Sequence, residues 1–463
     1  MFAPKFKLIF VLILLVVLTT GCSSVRTRHD FYRPIIADLK NHDFPSAVTK
    51  IETARSSYSK KDRLLYYFDA GLAYHYAGLY DSSNLRLSDA ERAAEELYTK
   101  SISRAVASMF LNDNTLEYSG EDYEVLYSNI FMALNYISLN DFEDAFVEIR
   151  RANEKLILLE QKYAEAAKEF NNDTSKAVKE GHIRYEPNSA RFNNDALARY
   201  LSMHMYAADG KYDDARIDYY KLEEAFATQS HIYDFALPKV RYDSKTGAVL
   251  SIVAMAGLAP YKKEVSLRLR TDKQLNLVQI MYEGTNQEYP EYGHFAMPVE
   301  KDFYFKFSLP VMKEQPSCIG RIEVEANGVL IGELSLIEDI SNVAMETFEA
   351  KKTLIYFKSI IRALAKGLAA HDTKEDVKGE GLGSWLTKAI VDAVVEATEA
   401  ADLRCTHFLP GRIYVGDFEV DPGEYDVTVK FISTDGLVVN SKHIMGYKVF
   451  EGDFNLIEVY SLN

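Results

Sequence analysis

Near Pro238 the hydrophobic rhythm of this chain changes, and that change constrains most of what it can fold into. From residue 29 to about 236, apolar and aromatic residues recur at every third and fourth position with few prolines, which is helical spacing. Beyond it, Glu264-Val265-Ser266-Leu267-Arg268-Leu269-Arg270 alternates as a strand with one wet face must. Ala248-Val249-Leu250-Ser251-Ile252-Val253 and Phe303-Tyr304-Phe305-Lys306-Phe307 also read as strands, and residues 321–325 and 330–336 flank the hairpin signal Asn327-Gly328. Strands resume at 411–418, 423–433, 438–444 and 454–460, with Asp435-Gly436 as a second turn signal. Between the two blocks, Leu354, Phe357, Ile361, Leu364 and Leu368 mark one amphipathic helix and Leu386, Ile390, Val394 and Val395 another. A polar link containing Gly379, Gly381 and Gly383 joins them. The fold class expected is α+β: an all-α helical-repeat domain at 29–236, then a mostly antiparallel β domain in two parts, 237–341 and 404–463, with a helical hairpin inserted at 342–403.

Within the helical region one unit returns. Its clearest copy is Ala70-Gly71-Leu72-Ala73-Tyr74, then Gly78-Leu79-Tyr80, then Ala90. Ala133-Leu134-Asn135-Tyr136 leads in the same frame to Asn140-Asp141-Phe142, Ala145 and Ala152, and Met205-Tyr206 leads to Gly210-Lys211-Tyr212, Ala215 and Tyr219. A weaker copy is His42-Asp43-Phe44 with Ala47 and Ala54. The unit resembles a tetratricopeptide repeat: a small residue lets two helices approach, glycine opens the turn, an aromatic starts the second helix and alanine lets the pair cross tightly. The turn positions His42, Gly78, Asn140 and Gly210 lie 36, 62 and 70 residues apart, more than a tandem array allows, so extra helices are expected at 88–112 and 154–170. The frame places Gly78 and Gly210 at positive φ, with Asn140 tolerating the same geometry.

The first residues carry an address. Lys5 and Lys7 precede an apolar run over residues 8–18 and then Thr19-Thr20-Gly21-Cys22, the order of a secretory signal, and the run is too short to span a bilayer. Small residues followed by Cys22 and Ser23-Ser24 resemble the lipobox of bacterial lipoproteins, with Thr19 where leucine is usual. The resemblance implies removal of residues 1–21 and acylation of Cys22, hence a membrane anchor facing the periplasm or outside. In a host with two membranes, Ser23 fits outer-membrane sorting. Cleavage moves the net charge from −15 to −17, and so acidic a chain, without a basic cluster, argues against nucleic acid as a partner. Cys318 and Cys405 are left either to pair or to stay free.

No pattern points to catalysis. The ten histidines form no HExxH pair or ligand run, so no metal is expected, and each histidine reads as surface or satisfied core. Gly379-Glu380-Gly381-Leu382-Gly383 lacks the preceding strand of a phosphate loop, and no nucleophile elbow or Walker lysine occurs, so no cofactor is expected. Tyrosine is abundant, 31 of 463 residues, and many lie on the repeat helices, including Tyr66, Tyr67, Tyr76, Tyr200 and Tyr220. Most fill packing positions, and the rest are candidates to line a concave groove for an extended peptide or glycan. Lys262 and Glu264 share one face of a strand entry, where a cross-strand ion pair or a ligand contact is expected.

The whole chain resembles a family of uncharacterised bacterial lipoproteins with tetratricopeptide-like repeats. The likeness rests on the lipobox, on Asn140-Asp141-Phe142-Glu143-Asp144-Ala145 with Glu148-Ile149-Arg150-Arg151-Ala152-Asn153, and on Gly257-Leu258-Ala259-Pro260-Tyr261-Lys262-Lys263-Glu264. It continues through Ala401-Asp402-Leu403-Arg404, Leu409-Pro410-Gly411-Arg412-Ile413 and Asp421-Pro422-Gly423-Glu424-Tyr425. It implies architecture and address and supplies no catalytic residues. The function expected is a non-enzymatic, lipid-anchored envelope scaffold that binds a protein partner through its repeats, so that deleting residues 31–235 abolishes partner capture and leaves a folded β domain. A glycan- or peptide-binding lipoprotein is the alternative, and an enzyme has the least support.

Overall fold

The computed structural model describes residues 29–102, 113–173, 191–242, 247–282, 294–296, 302, 304–371 and 400–463. Cys22 and the second helix of the expected hairpin lie outside these residues. Helices come first: α1 (His29–Lys40), α2 (Phe44–Thr53), α3 (Arg63–Tyr76), α4 (Tyr80–Ile102), α5 (Asp122–Ser138), α6 (Phe142–Asp173), α7 (Ala196–Ala208) and α8 (Tyr212–Thr228). Then follow β1 (Ala248–Leu258), β2 (Tyr261–Asp272), β3 (Leu277–Tyr282), β4 (His294–Ala296), β5 (Tyr304–Lys313), β6 (Ile319–Ala326), β7 (Val329–Glu333) and β8 (Ser335–Asp339). Helix α9 (Ile340–His371) separates these from β9 (Pro410–Val420), β10 (Gly423–Ser433), β11 (Val438–Val449) and β12 (Asn455–Ser461). The class is α+β, helical first and then mostly antiparallel sheet.

The same turn closes four helical hairpins. His42, Gly78, Asn140 and Gly210 all take the left-handed conformation, at φ of 60°, 70°, 59° and 72°. In each, the next residue's N–H reaches back five residues, as from Leu79 to the Tyr74 carbonyl at 2.9 Å and from Asp141 to the Tyr136 carbonyl at 2.8 Å. The preceding N–H reaches back three, so the pair satisfies two orphan carbonyls of the first helix. An aromatic residue opens each second helix, and the position three residues on is small and fully buried: Ala47, Ser83, Ala145 and Ala215. At Gly71 a β-carbon would stand 2.6 Å from the Leu87 side chain, so α3 and α4 meet only because that residue has none. The described parts of 88–112 and 154–170 hold no separate helices; they lengthen the second helices α4 and α6.

At Gly78 and Gly210 an added β-carbon meets nothing within 4 Å, so a substitution there acts through the backbone alone. Gly78→Val and Gly210→Val are expected to destabilise by about 1–3 kcal/mol each, while Asn140→Gly should be neutral or mildly stabilising. Thermal melts of the variants check this, and an equal loss for Asn140→Gly would sever the common frame.

Three sheets follow, in strand orders β12-β1-β9-β8, β11-β10-β6-β7 and β4-β3-β2-β5. Among the described strands only β12 with β1 is parallel, Ile252 standing opposite Ile457. The Asn327-Gly328 hairpin forms as expected, with both residues at positive φ between β6 and β7. Strand β1 is buried on both faces, which is why it reads as an unbroken apolar run. Leu250, Ile252, Ala254 and Ala256 pack on Ile322, Val324, Val429 and Phe431 of the second sheet. Val253, Met255 and Leu258 turn the other way and join Phe68, Tyr76, Phe131, Tyr200 and Leu201 of the helices in one core. The layers therefore run helices, sheet, sheet, with the first sheet in the middle. The helical and β parts share a core.

Among the described residues, no helix is long and apolar enough to cross a membrane.

Candidate functional site

The helices meet the middle sheet through polar side chains buried in an otherwise apolar interface. Such groups persist in a low-dielectric layer only when paired, so they mark what holds the layers in register. The densest set surrounds the segment 400–409, which runs between the helices and β2. Thr406 is its centre: its backbone N–H donates to Glu124 of α5 at 2.6 Å and its hydroxyl to Asp69 of α3 at 2.7 Å. Asp69 also accepts from the Tyr32 and Tyr58 hydroxyls at 2.9 and 2.8 Å, and Glu124 from the Tyr118 hydroxyl at 2.6 Å and the Glu121 N–H at 2.9 Å. Two residues on, the Phe408 carbonyl accepts from the Tyr76 hydroxyl at 2.7 Å.

Beside this set the buried Glu121 holds both the buried Lys262 of β2 and the half-buried Lys351 of α9. The expected cross-strand partner of Lys262 is thus replaced by a helix-borne carboxylate. Glu264 is only half-buried on β2, opposite Pro310. The two lysines satisfy Glu121, whose carboxyl stays below its ordinary range although burial alone would raise it. Cys405 is buried and accepts from the Lys262 N–H at 3.4 Å, whereas Cys318 is exposed, and both thiols are free.

Further sets lie along the sheet. His75 of α3 bonds Asn135 of α5 through Nδ1 at 2.6 Å and Glu458 of β12 through Nε2 at 2.9 Å, with the Tyr460 hydroxyl 3.2 Å from Nε2. Asp417 of β9 accepts from Tyr200 at 2.7 Å, Ser251 at 2.9 Å and the Arg241 N–H at 2.9 Å, and His204 Nε2 stands 3.2 Å from it. Serine, histidine and aspartate meet here in the wrong order for nucleophilic catalysis. A nucleophile needs its base on the hydroxyl, whereas Ser251 and His204 each bond the carboxylate.

At α7, the helix cap Asp195 accepts from the Ala198 N–H at 2.7 Å and from Tyr127 at 3.2 Å, while Glu338 of β8 takes the Tyr233 hydroxyl at 3.0 Å. Burial first, and the charge of Asp195 second, raise the Glu338 carboxyl well above its usual range; burial lifts Asp195 to about 6. Burial likewise pushes Asp69 and Glu124 to about 7 each. Between pH 4 and 7 these carboxyls hold protons that the unfolded chain has released, so they make stability fall as pH rises through that window. Asp69→Asn and Glu124→Gln should each flatten that slope in urea unfolding curves taken across it. A slope unchanged in both variants would contradict the assignment.

The tyrosines expected to line an open groove are largely spent within this interface or beside it. Tyr76 and Tyr200 face the sheet, while Tyr66 and Tyr74 donate to Glu52 at 2.8 and 3.0 Å. Phe142 packs near Phe454, Phe146 near Tyr206, and Tyr219 near Tyr242. Tyr80 and Tyr136 are half-buried, Ala133 is fully buried, and Tyr212 and Tyr220 stand exposed on α8. Between α3, α4 and α5, beside Glu91 and Glu124, lies a void of about 10 Å³, room for one water.

Sequence reasoning missed Asp69, Glu124, Thr406 and Asp417 as a group. Their one local signal is a charged or amide side chain inside a helix apolar on every side, as at Asp69 in α3 and Asn135 in α5. No protein family, curated protein or solved structure matches the chain.

Proposed function

We propose that this chain is a lipid-anchored envelope scaffold, non-enzymatic, that binds a protein partner on the outer surface of its helical layer. The observation that carries the reading is the commitment of the interface: Asp69, Glu124, Glu121, Asp417 and His75 are all bonded across layers, which favours rigidity over turnover. The inner face of the helices is covered by the middle sheet, so a partner meets the second helices, where Leu85, Ile157, Leu158, Ile217 and Tyr220 are exposed. The peptide- or glycan-groove alternative loses most of its aromatic lining to the chain's own packing. In-cell crosslinking should capture a partner, with capture lost in Leu85→Glu, Ile157→Glu or Tyr220→Glu variants that still fold. Capture indifferent to all three would overturn the choice of surface.

The anchor belongs to the same proposal. Acylation at Cys22 holds a chain firmly because each buried methylene contributes about 0.8 kcal/mol. Cys22→Ser should move the protein to the soluble fraction or leave it unprocessed. A processed variant that remains tightly membrane-bound would refute the lipoprotein reading.

A further inference from the structure

Some buried polar atoms lack a hydrogen-bond partner among the described residues, the Tyr123 hydroxyl and ring nitrogens of His29 and His407 among them. His407 lies in the 400–409 segment, almost fully buried, and its Nδ1 stands 3.1 Å from the Cys405 carbonyl. Since a carbonyl can only accept, Nδ1 carries the proton and Nε2 carries the lone pair. Among the described residues that buried Nε2 has no hydrogen-bond partner, and neither has the buried Nδ1 of His29, at the start of α1. The two rings are neighbours, with centroids 5.5 Å apart and planes tilted by 35°. Tyrosines hold both in place: Tyr32 stacks on His407 at 4.2 Å and Tyr261 on His29 at 4.3 Å.

We propose that His29 and His407 together bind one late first-row transition-metal ion through their free ring nitrogens. With metal–nitrogen bonds of about 2.0–2.1 Å, two imidazoles on one ion can have centroids up to about 6 Å apart, so the observed spacing admits a bent pair. A backbone carbonyl accepting from the far nitrogen is the outer-shell partner that fixes the tautomer of a metal-bound histidine. Burial, with His29 beside it, lowers the His407 ring to about 3, and burial together with Arg33 lowers His29, so both rings present lone pairs at neutral pH. Among the described residues no group of three or more His, Cys, Asp and Glu side chains is placed to hold a metal, so the protein supplies two donors and water the rest. Such a site follows the general order of affinities, in which copper binds most strongly. A bound ion would clip the first turn of α1 to the 400–409 segment.

The test uses the full chain with its exposed thiol removed by Cys318→Ser, stripped with chelator and given one equivalent of Cu(II). The expected electron paramagnetic resonance spectrum shows nitrogen hyperfine structure from imidazole. His29→Gln and His407→Gln should each weaken copper binding by more than about 100-fold, the upper end of what losing an outer-shell partner does. His29 is half-exposed at a helix start, so its variant keeps the fold if His407→Gln does not, while His443→Gln on β11 should leave binding intact. A spectrum of copper in water alone, or nitrogen structure that survives His29→Gln, overturns the proposal and leaves a bridging water as the occupant.

Discussion

A chain lacking residues 29–235 is expected to show no cooperative unfolding transition and to bind hydrophobic dye. Sequence periodicity alone suggests the opposite, a β domain that survives removal of the helices. The difference lies in which face of the middle sheet is covered. Val253, Met255, Phe408, Ile413, Val415 and Leu462 pack with the helices in one core. At about 1.5–3 kcal/mol for each fully buried apolar side chain, exposing these six removes as much as the whole margin of 5–15 kcal/mol that a domain usually has. Polar groups compound the loss, because Asp417 and Glu458 then forfeit Tyr200, His204 and His75. Calorimetry of the truncated chain decides it. A sharp heat-absorption peak would mean that the first and second sheets suffice as a core.

How far the sequence discloses this architecture depends on whether a feature is local. Three of the four turns are legible because a single residue must take positive φ at a fixed place between a packed helix and an aromatic helix start, and glycine or asparagine there is visible without a partner; the fourth, at His42, shows only through the shared frame. The Asn327-Gly328 hairpin is legible for the same reason. Lys262 illustrates the limit: its alternation within β2 is correct, but its partner Glu121 lies 141 positions earlier, on a helix cap, and nothing along the strand announces it. A signal for the docking did exist in α3 and α5. Both are apolar nearly all round, with buried residues on every side, which is unusual for helices of a bare repeat array and implies a second covering layer. The pairing of Thr406 with Asp69 and Glu124 had no such trace: the helix marks Asp69 as a carboxylate in an apolar setting, but nothing along the chain names the threonine more than 300 positions on that meets it.

Arg404→Met is expected to cost about 3–5 kcal/mol, as removal of one partner from a buried ionic cluster does. The Arg404 side chain is 10% exposed and stacks over Tyr118 at 5.1 Å. All five of its donors are used: Nε and Nη2 fork onto the two oxygens of Asp402 at 2.9 and 2.8 Å, Nη1 reaches Asp62 at 3.1 Å and the Leu116 carbonyl at 3.0 Å, and Nη2 also reaches the Asp113 carbonyl at 2.8 Å. One guanidinium thus joins the 400–409 segment to the loop before α5 and to the start of α3. Arg404→Lys has a single nitrogen to offer and cannot make the fork, so it should recover only part of the loss. The pH dependence identifies the mechanism. Burial alone would raise the Asp402 carboxyl, but the charge and hydrogen bonds of Arg404 hold it far below the ordinary range. A carboxyl lowered in the folded state contributes stability above its unfolded value near pH 4 and loses that contribution as pH falls through the folded value. The penalty of Arg404→Met should therefore be largest at neutral pH and shrink once Asp402 can protonate, and Asp402→Asn in the same chain should restore part of it at pH 7. Urea titrations at pH 7 and pH 4 measure both effects. A penalty below about 1 kcal/mol, the size of an exposed surface pair, would place this guanidinium in solvent and detach the 400–409 segment from the helices.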